Sequence, residues 1–202
     1  MHLLQVMWND DDGTRAPENR TAAPCRVLLA DNHAVVRHGL KDCLGSLPGV
    51  EICGEATTGR EALELAKKEK PDLLILALSL PAMNGVEAAR AIRRALPKTE
   101  VLVVTMHTSK DVARMALRLG VRGFVGKSDP ISELIAAVQK VREHEPYVTS
   151  QLAAELQDEV ERIKAQDVDH FPLSDAELTR TQIDAVLARS EERINREAAK
   201  ML

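Results

Sequence analysis

The chain predicts an α/β fold: a five-stranded parallel sheet with helices on both faces, followed by a C-terminal helical extension. Five short apolar runs each give way to a segment with helical spacing, and the connections are short. The polar side chains with chemical potential gather at the ends of those runs, where folds of this class place their working sites.

The elements follow in order. Arg26-Val27-Leu28-Leu29-Ala30 is a short, partly β-branched apolar run, as a buried strand requires. Val35, Val36, Leu40 and Leu44 then keep helical spacing up to Leu47-Pro48-Gly49. Val50 to Ala56 alternates like a strand with one wetter face, and Thr58-Gly59-Arg60-Glu61 opens a helix carrying Leu63, Leu65 and Ala66. Leu73 to Leu78 is the third strand; Val86, Ala89, Ile92 and Leu96 mark the helix behind it, stopped by Pro97. Glu100 to Thr105 is the fourth strand, and Val112, Met115, Ala116 and Leu119 lie on the next helix, ended by Gly120. Val121 to Gly126 is the fifth. Asp129-Pro130 offers a helix entry, an acceptor side chain before a residue without an N–H. Ile131, Leu134, Ile135, Val138 and Val141 behind it form a stripe of period 3.6.

Three regions result. Residues 1–23 show no periodicity and read as a disordered tail, residues 24–146 as the α/β domain, and residues 147–202 as the extension. In the extension, Leu152, Leu156, Val160 and Ile163 form a narrow stripe. A break at residues 167–172 separates it from Leu178, Ile183, Val186, Leu187, Ile194, Ala198 and Met201. Two amphipathic helices this narrow do not fold alone, so they should dock on the domain or pair with a second copy.

Composition narrows the function. Among 202 residues, 45% are hydrophobic and 29% charged, with a net charge of −4, which gives no electrostatic reason to expect nucleic acid. The longest apolar stretch, Leu73 to Leu78, is too short to span a bilayer, and Met1 to Val6 does not read as a secretory signal. Cys25, Cys43 and Cys53 lack zinc spacing and read as buried thiols of a cytoplasmic protein. Trp8, Phe124, Tyr147 and Phe171 are the whole aromatic set, too few for stacking platforms. No glycine-rich phosphate loop or catalytic triad spacing is present, so neither an enzyme nor a small-molecule substrate is expected. Asp31-Asn32-His33 is superficially similar to a cobalamin signature, but that pattern needs glycine where Val36 stands.

Asp31, Asn32, Ala77, Thr105 and Lys127 all fall at or just past strand C-terminal ends, and Leu80-Pro81-Ala82-Met83-Asn84-Gly85 supplies a turn after the third strand. In these features, over about residues 25–145, the chain resembles the receiver domain of two-component response regulators, a flavodoxin-like fold. Leu102 to His107 and Gly123 to Lys127 look most like the subfamily that usually carries a C-terminal helix-turn-helix. The resemblance implies that position 77 holds the aspartate that accepts phosphate; here it is Ala77. It further implies two acidic residues after the first strand, of which Asp31 is kept and Asn32 is neutral. The Ser79 backbone carbonyl occupies the remaining metal-ligand position, so one formal negative charge stands where three would, and Mg²⁺ binding is expected to be weak or absent. Thr105 and Lys127 match the phosphate-contacting hydroxyl and lysine, and Phe124 the aromatic that changes rotamer. Without phosphate, Lys127 should pair with Asp31, a contact worth about 1 kcal/mol at a partly shielded strand end. His33, His38 and His107 are expected at a helix start, on a helix surface and in a loop.

The expected function is therefore that of an atypical response regulator, a pseudo-receiver working through a protein partner or homodimer. A DNA-binding transcriptional regulator with a truncated or divergent output module is the alternative. Leu173 to Leu178 resembles the start of such a module, but no basic recognition helix follows. From Tyr147 onward, 12 acidic residues face 7 Lys and Arg, which opposes direct contact with phosphates.

Overall fold

The computed structural model describes residues 23–165 and, beyond them, residues 183, 185–190, 192 and 196. The disordered tail expected over 1–23 lies outside the described residues except for residue 23. So do the break at 167–172 and Leu178, Ile194, Ala198 and Met201.

Strands β1 (Cys25–Ala30), β2 (Val50–Ala56), β3 (Leu73–Leu76), β4 (Glu100–Thr105), β5 (Gly123–Gly126) and β6 (Tyr147–Val148) form one sheet. Their order is β2-β1-β3-β4-β5-β6, and every pairing is parallel. The helices between them are α1 (Ala34–Gly45), α2 (Gly59–Glu69), α3 (Gly85–Ala95), α4 (Lys110–Arg118) and α5 (Ile131–Arg142). Leu40 and Leu44 of α1 and Leu134, Ala137, Val138 and Val141 of α5 bury on one face with Val27, Leu29 and Ile75. The apolar stripes of α2, α3 and α4 bury on the other face with Leu28, Leu74, Leu76 and Phe124. The central strands are buried on both faces, which is why they read as unbroken apolar runs.

Local chemistry sets the helix starts. Thr58 Oγ1 accepts the Glu61 N–H while Glu61 accepts the Thr57 N–H, so α2 begins with reciprocal caps. Asn84 and Ser109 cap α3 and α4 by accepting the Glu87 and Val112 N–H groups. Asp129 does not cap α5 as its place before Pro130 suggests. Its carboxylate turns back to accept the Gly126 N–H at 2.7 Å, and Pro130 takes the cap position without a side-chain bond.

The sheet has a sixth strand where five were expected. Tyr147 and Val148 lie beside Gly123 and Phe124; the Tyr147 N–H donates to the Arg122 carbonyl and the Thr149 N–H to the Phe124 carbonyl. Two residues carry no alternation to read, so no periodicity could reveal this strand. After it come α6 (Ser150–Ala153), a 3-10 turn (Ala154–Leu156) and α7 (Gln157–Lys164). Leu152, Leu156, Ile163 and Ile183 are buried in the same apolar cluster as Val112, Met115 and Ala116 of α4. The described part of the extension thus docks on the domain.

Tyr147 anchors this edge: its hydroxyl donates to Glu133 on α5 at 2.7 Å. Burial, and then the carboxylate beside it, push the phenol up to about 12. A raised native value means the protonated phenol stabilises the docked state below about pH 10. That contribution disappears as pH rises through the native value. Tyr147 is the one tyrosine of the chain, so its tyrosinate absorbance can be followed alone. We expect a native midpoint near 12 and a midpoint near the model-peptide value, about 10, in concentrated urea. Coincident midpoints would show that β6 is not held by this bond.

Candidate functional site

The site is built on the C-terminal ends of β1, β3, β4 and β5. β1 and β4 lie either side of β3, so Asp31, Ala77 and Thr105 are carried to one rim of the sheet. Ala77 follows β3 directly, buried, with its N–H donating to the Ala30 carbonyl at 2.8 Å. The Lys127 N–H donates to the Thr105 carbonyl at 2.8 Å and places the lysine at the same rim.

Lys127 Nζ lies 2.5 Å from Asp31 Oδ2, and the two side chains are only 9% and 2% exposed. The pair expected at a partly shielded strand end is therefore almost wholly shielded. Asp31 Oδ1 accepts the His33 N–H at 2.9 Å and lies 3.2 Å from His33 Nδ1. Both carboxylate oxygens are thus engaged. Arg37, one turn into α1, donates to the Asp31 carbonyl and pairs with Glu55. Hydrogen bonds from Lys41 and Arg37 outweigh desolvation and hold the Glu55 carboxyl below the usual range. Asn32 is exposed.

His107 lies in the loop after β4, as expected of a loop residue. It is buried there, only 3% exposed, and its Nε2 shares a 2.6 Å hydrogen bond with the Ser79 hydroxyl. Its backbone N–H donates to Thr105 Oγ1 at 3.2 Å. This bond ties the loop after β3 to the loop after β4, across 28 residues of sequence. No pattern in the chain signals such a link; only the fold brings the two loops together. His33 does open α1, without a side-chain cap, and His38 sits on the helix surface beside Asp42.

Phe124 is fully buried, with Val103 on one side in the sheet and Val148 on the other. The turn from Leu80 to Gly85 closes tightly: the Gly85 N–H donates to the Leu78 carbonyl at 2.8 Å, and Ala82 adopts φ 66°. Val35, read as part of the apolar face of α1, is 86% exposed; Val36, Leu40 and Leu44, four residues apart, carry the burial. The three cysteines are free thiols, half-buried rather than fully buried, each raised by desolvation first of all.

At the opposite end of the sheet, Glu100 is buried between Arg122, at 3.3 Å, and Arg93, at 3.9 Å. His144 Nδ1 closes the group at 3.0 Å. This cluster fastens β4 to β5 and to the end of α5, far from the rim just described. Sequence reading missed it because Glu100 and Arg122 stand at strand starts, where charge ordinarily marks a solvated end.

The family model of the response regulator receiver domain matches residues 27–139, more than half of the chain. The chain belongs to the response regulator receiver family. Among similar proteins, the response regulator GacA of Pseudomonas aeruginosa is 30% identical over 131 residues, covering 65% of this chain and 61% of GacA. The oxygen regulatory protein NreC of Staphylococcus haemolyticus is 34% identical over 143 residues, covering 70% and 66%. The receiver thus spans about three-fifths of the length of the first curated relatives that it matches. Among solved structures, a LuxR-family two-component response regulator from Aurantimonas superposes with a TM-score of 0.64 at 31% identity. It covers 69% of this chain and 99% of that one. Among the described residues, no helix is long and apolar enough to cross a membrane.

Proposed function

We propose that this receiver is a pseudo-receiver, acting in cytoplasmic signal transduction through phosphorylation-independent contact with a protein partner or a second copy. One observation carries the reading: the side chain at the tip of β3 is the methyl group of Ala77. A methyl group has no lone pair to attack phosphorus, so aspartyl phosphate cannot form there. The donor set does not fit Mg²⁺ either. Of the positions that the resemblance assigns to the metal, Asp31 alone keeps a carboxylate, and both its oxygens are engaged by Lys127 and His33. A hard divalent ion would have to displace Lys127 and gain only neutral oxygens in return. In this reading Thr105, Lys127 and Phe124 are remnants of the phosphate-contacting set, and Asp31, Asn32 and Ser79 remnants of the metal site.

Such a protein needs a surface that works without phosphate. A cleft of about 270 Å³ between α1 and α5, lined by Val36, Leu40, Val104, Val125 and Leu134, supports the reading. Ile131, 57% exposed, adds apolar surface at its edge. The equilibrium between conformations would then follow a partner's differential affinity instead of phosphate. The test is light scattering of the full chain with and without a small phosphodonor and Mg²⁺. We expect one mass under both conditions; a phosphodonor-dependent change of mass would refute the reading.

The likeness to a LuxR-family regulator favours a second reading, a DNA-binding transcriptional regulator with a truncated or divergent output module. The acidic excess of residues 147–202 argues against the extension itself gripping phosphates. A gel shift with genomic fragments at low salt separates the two: retardation supports the second, its absence the first.

A further inference from the structure

Ser79 stands on the loop after β3, just past Ala77, with its side chain exposed. Leu78 and Leu80 on either side are 1% and 7% exposed, so buried neighbours pin the serine at the surface. Its hydroxyl lies 2.6 Å from Nε2 of the buried His107, whose backbone N–H donates to Thr105 Oγ1 at the end of β4. With the ring proton on Nδ1, Nε2 accepts the Ser79 O–H and occupies the place of a general base. Two other serines supply the contrast. Ser46 and Ser150 are also exposed, but their hydroxyls donate to the Cys43 carbonyl and the Glu133 carboxylate. A carbonyl takes no proton at neutral pH, and a carboxylate is a far weaker base than imidazole.

The surroundings decide which electrophile such a hydroxyl can attack. A phosphoryl donor brings negative charge that a metal ion or a free cation must neutralise. Lys127 is already held by Asp31 at 2.5 Å. The carbonyl of a thioester is uncharged, and its attack needs only a base and a donor for the developing oxyanion. Among the described residues the Ser79 N–H donates to no backbone carbonyl, which leaves a donor on the nucleophile's own residue. The flanking leucines are turned into the core, so the serine offers no apolar surface to a long chain.

We propose that Ser79, with His107 as its base, is an acceptor site for a short acyl group carried as a small-molecule thioester. Ser79 Oγ bonds to the carbonyl carbon as its proton passes to His107 Nε2. The tetrahedral intermediate then collapses, the carbon–sulfur bond breaks, and Nε2 returns the proton to the departing sulfur. The products are a free thiol and an oxyester on Ser79, with no change of oxidation state. Thr105 acts as a positioning residue, through the His107 backbone.

The test incubates the full chain with a fluorophosphonate probe and, separately, with a small acetyl thioester, and reads intact mass and peptide maps. Neutral hydroxylamine then clears any thioester from Cys25, Cys43 and Cys53 and leaves an oxyester in place. We expect one adduct from each reagent, on Ser79 and not on Ser46 or Ser150. Ser79→Ala should abolish it. His107→Gln, which keeps a polar side chain but no base, should slow labelling by roughly a hundredfold or more. Should His107→Gln fail to fold by circular dichroism, Ser79→Ala decides alone, since it alters an exposed residue. No adduct from the thioester, an adduct that persists in Ser79→Ala, or an unchanged rate in folded His107→Gln would overturn the proposal. The Ser79–His107 bond would then be a tie between two loops and nothing more. Neither reagent is a phosphodonor, so the pseudo-receiver reading stands or falls separately.

Discussion

Gly85→Ala is expected to destabilise the protein by about 3 kcal/mol or more, well above the usual cost of a surface change. The reason is proximity, not backbone freedom. A Cβ at Gly85 would overlap the Ala77 carbonyl oxygen and lie 2.7 Å from Leu78 Cα. Both are backbone atoms at the buried end of β3, and they cannot rotate aside as a side chain would. Relief would require α3 to withdraw, which breaks the 2.8 Å bond from the Gly85 N–H to Leu78 and the turn between them. Gly39 is the control. It lies inside α1 with nothing within 4 Å of a Cβ, so Gly39→Ala should stabilise by about 0.5–1 kcal/mol through helix propensity. Urea midpoints of the two variants should move in opposite directions. Equal midpoints would show that β3 and α3 are not packed this closely.

Asp31→Ala should cost about 3 kcal/mol, more than the strand-end position alone suggested. Breaking a buried pair leaves a charge without its partner, and Lys127 is 9% exposed. The loss corresponds to roughly 10 °C in melting temperature for a chain of this size. Asp31→Leu combined with Lys127→Met removes both charges and should recover most of the loss. If the single variant melts within error of the parent, the ion pair contributes nothing and leaves the account.

The strands buried on both faces were legible because no other element of four to seven residues is so uniformly apolar. Strand ends then located Asp31, Ala77, Thr105 and Lys127, since in a parallel sheet the chain itself carries those residues to one rim. The Lys127–Asp31 pair was expected from their opposite charges at one rim. What the sequence could not show depends on distance in three dimensions. The bond between Ser79 and His107 needs two loops 28 residues apart to meet, and neither residue is unusual in its own segment. β6 is too short for a period. Glu159 and Arg114 lie 45 residues apart, so their pairing reads in the chain only as two charged helix faces. Asp129 illustrates a different limit. An acidic residue before proline can cap the helix ahead or the strand behind, and here the Gly126 N–H, free at the end of β5, took it.

The pseudo-receiver account rests on the missing acceptor, and intact-mass spectrometry of the full chain after incubation with a small phosphodonor and Mg²⁺ reads that directly. The account predicts an unchanged mass. An acid-labile gain of one phosphoryl group on the unmodified polypeptide would contradict it.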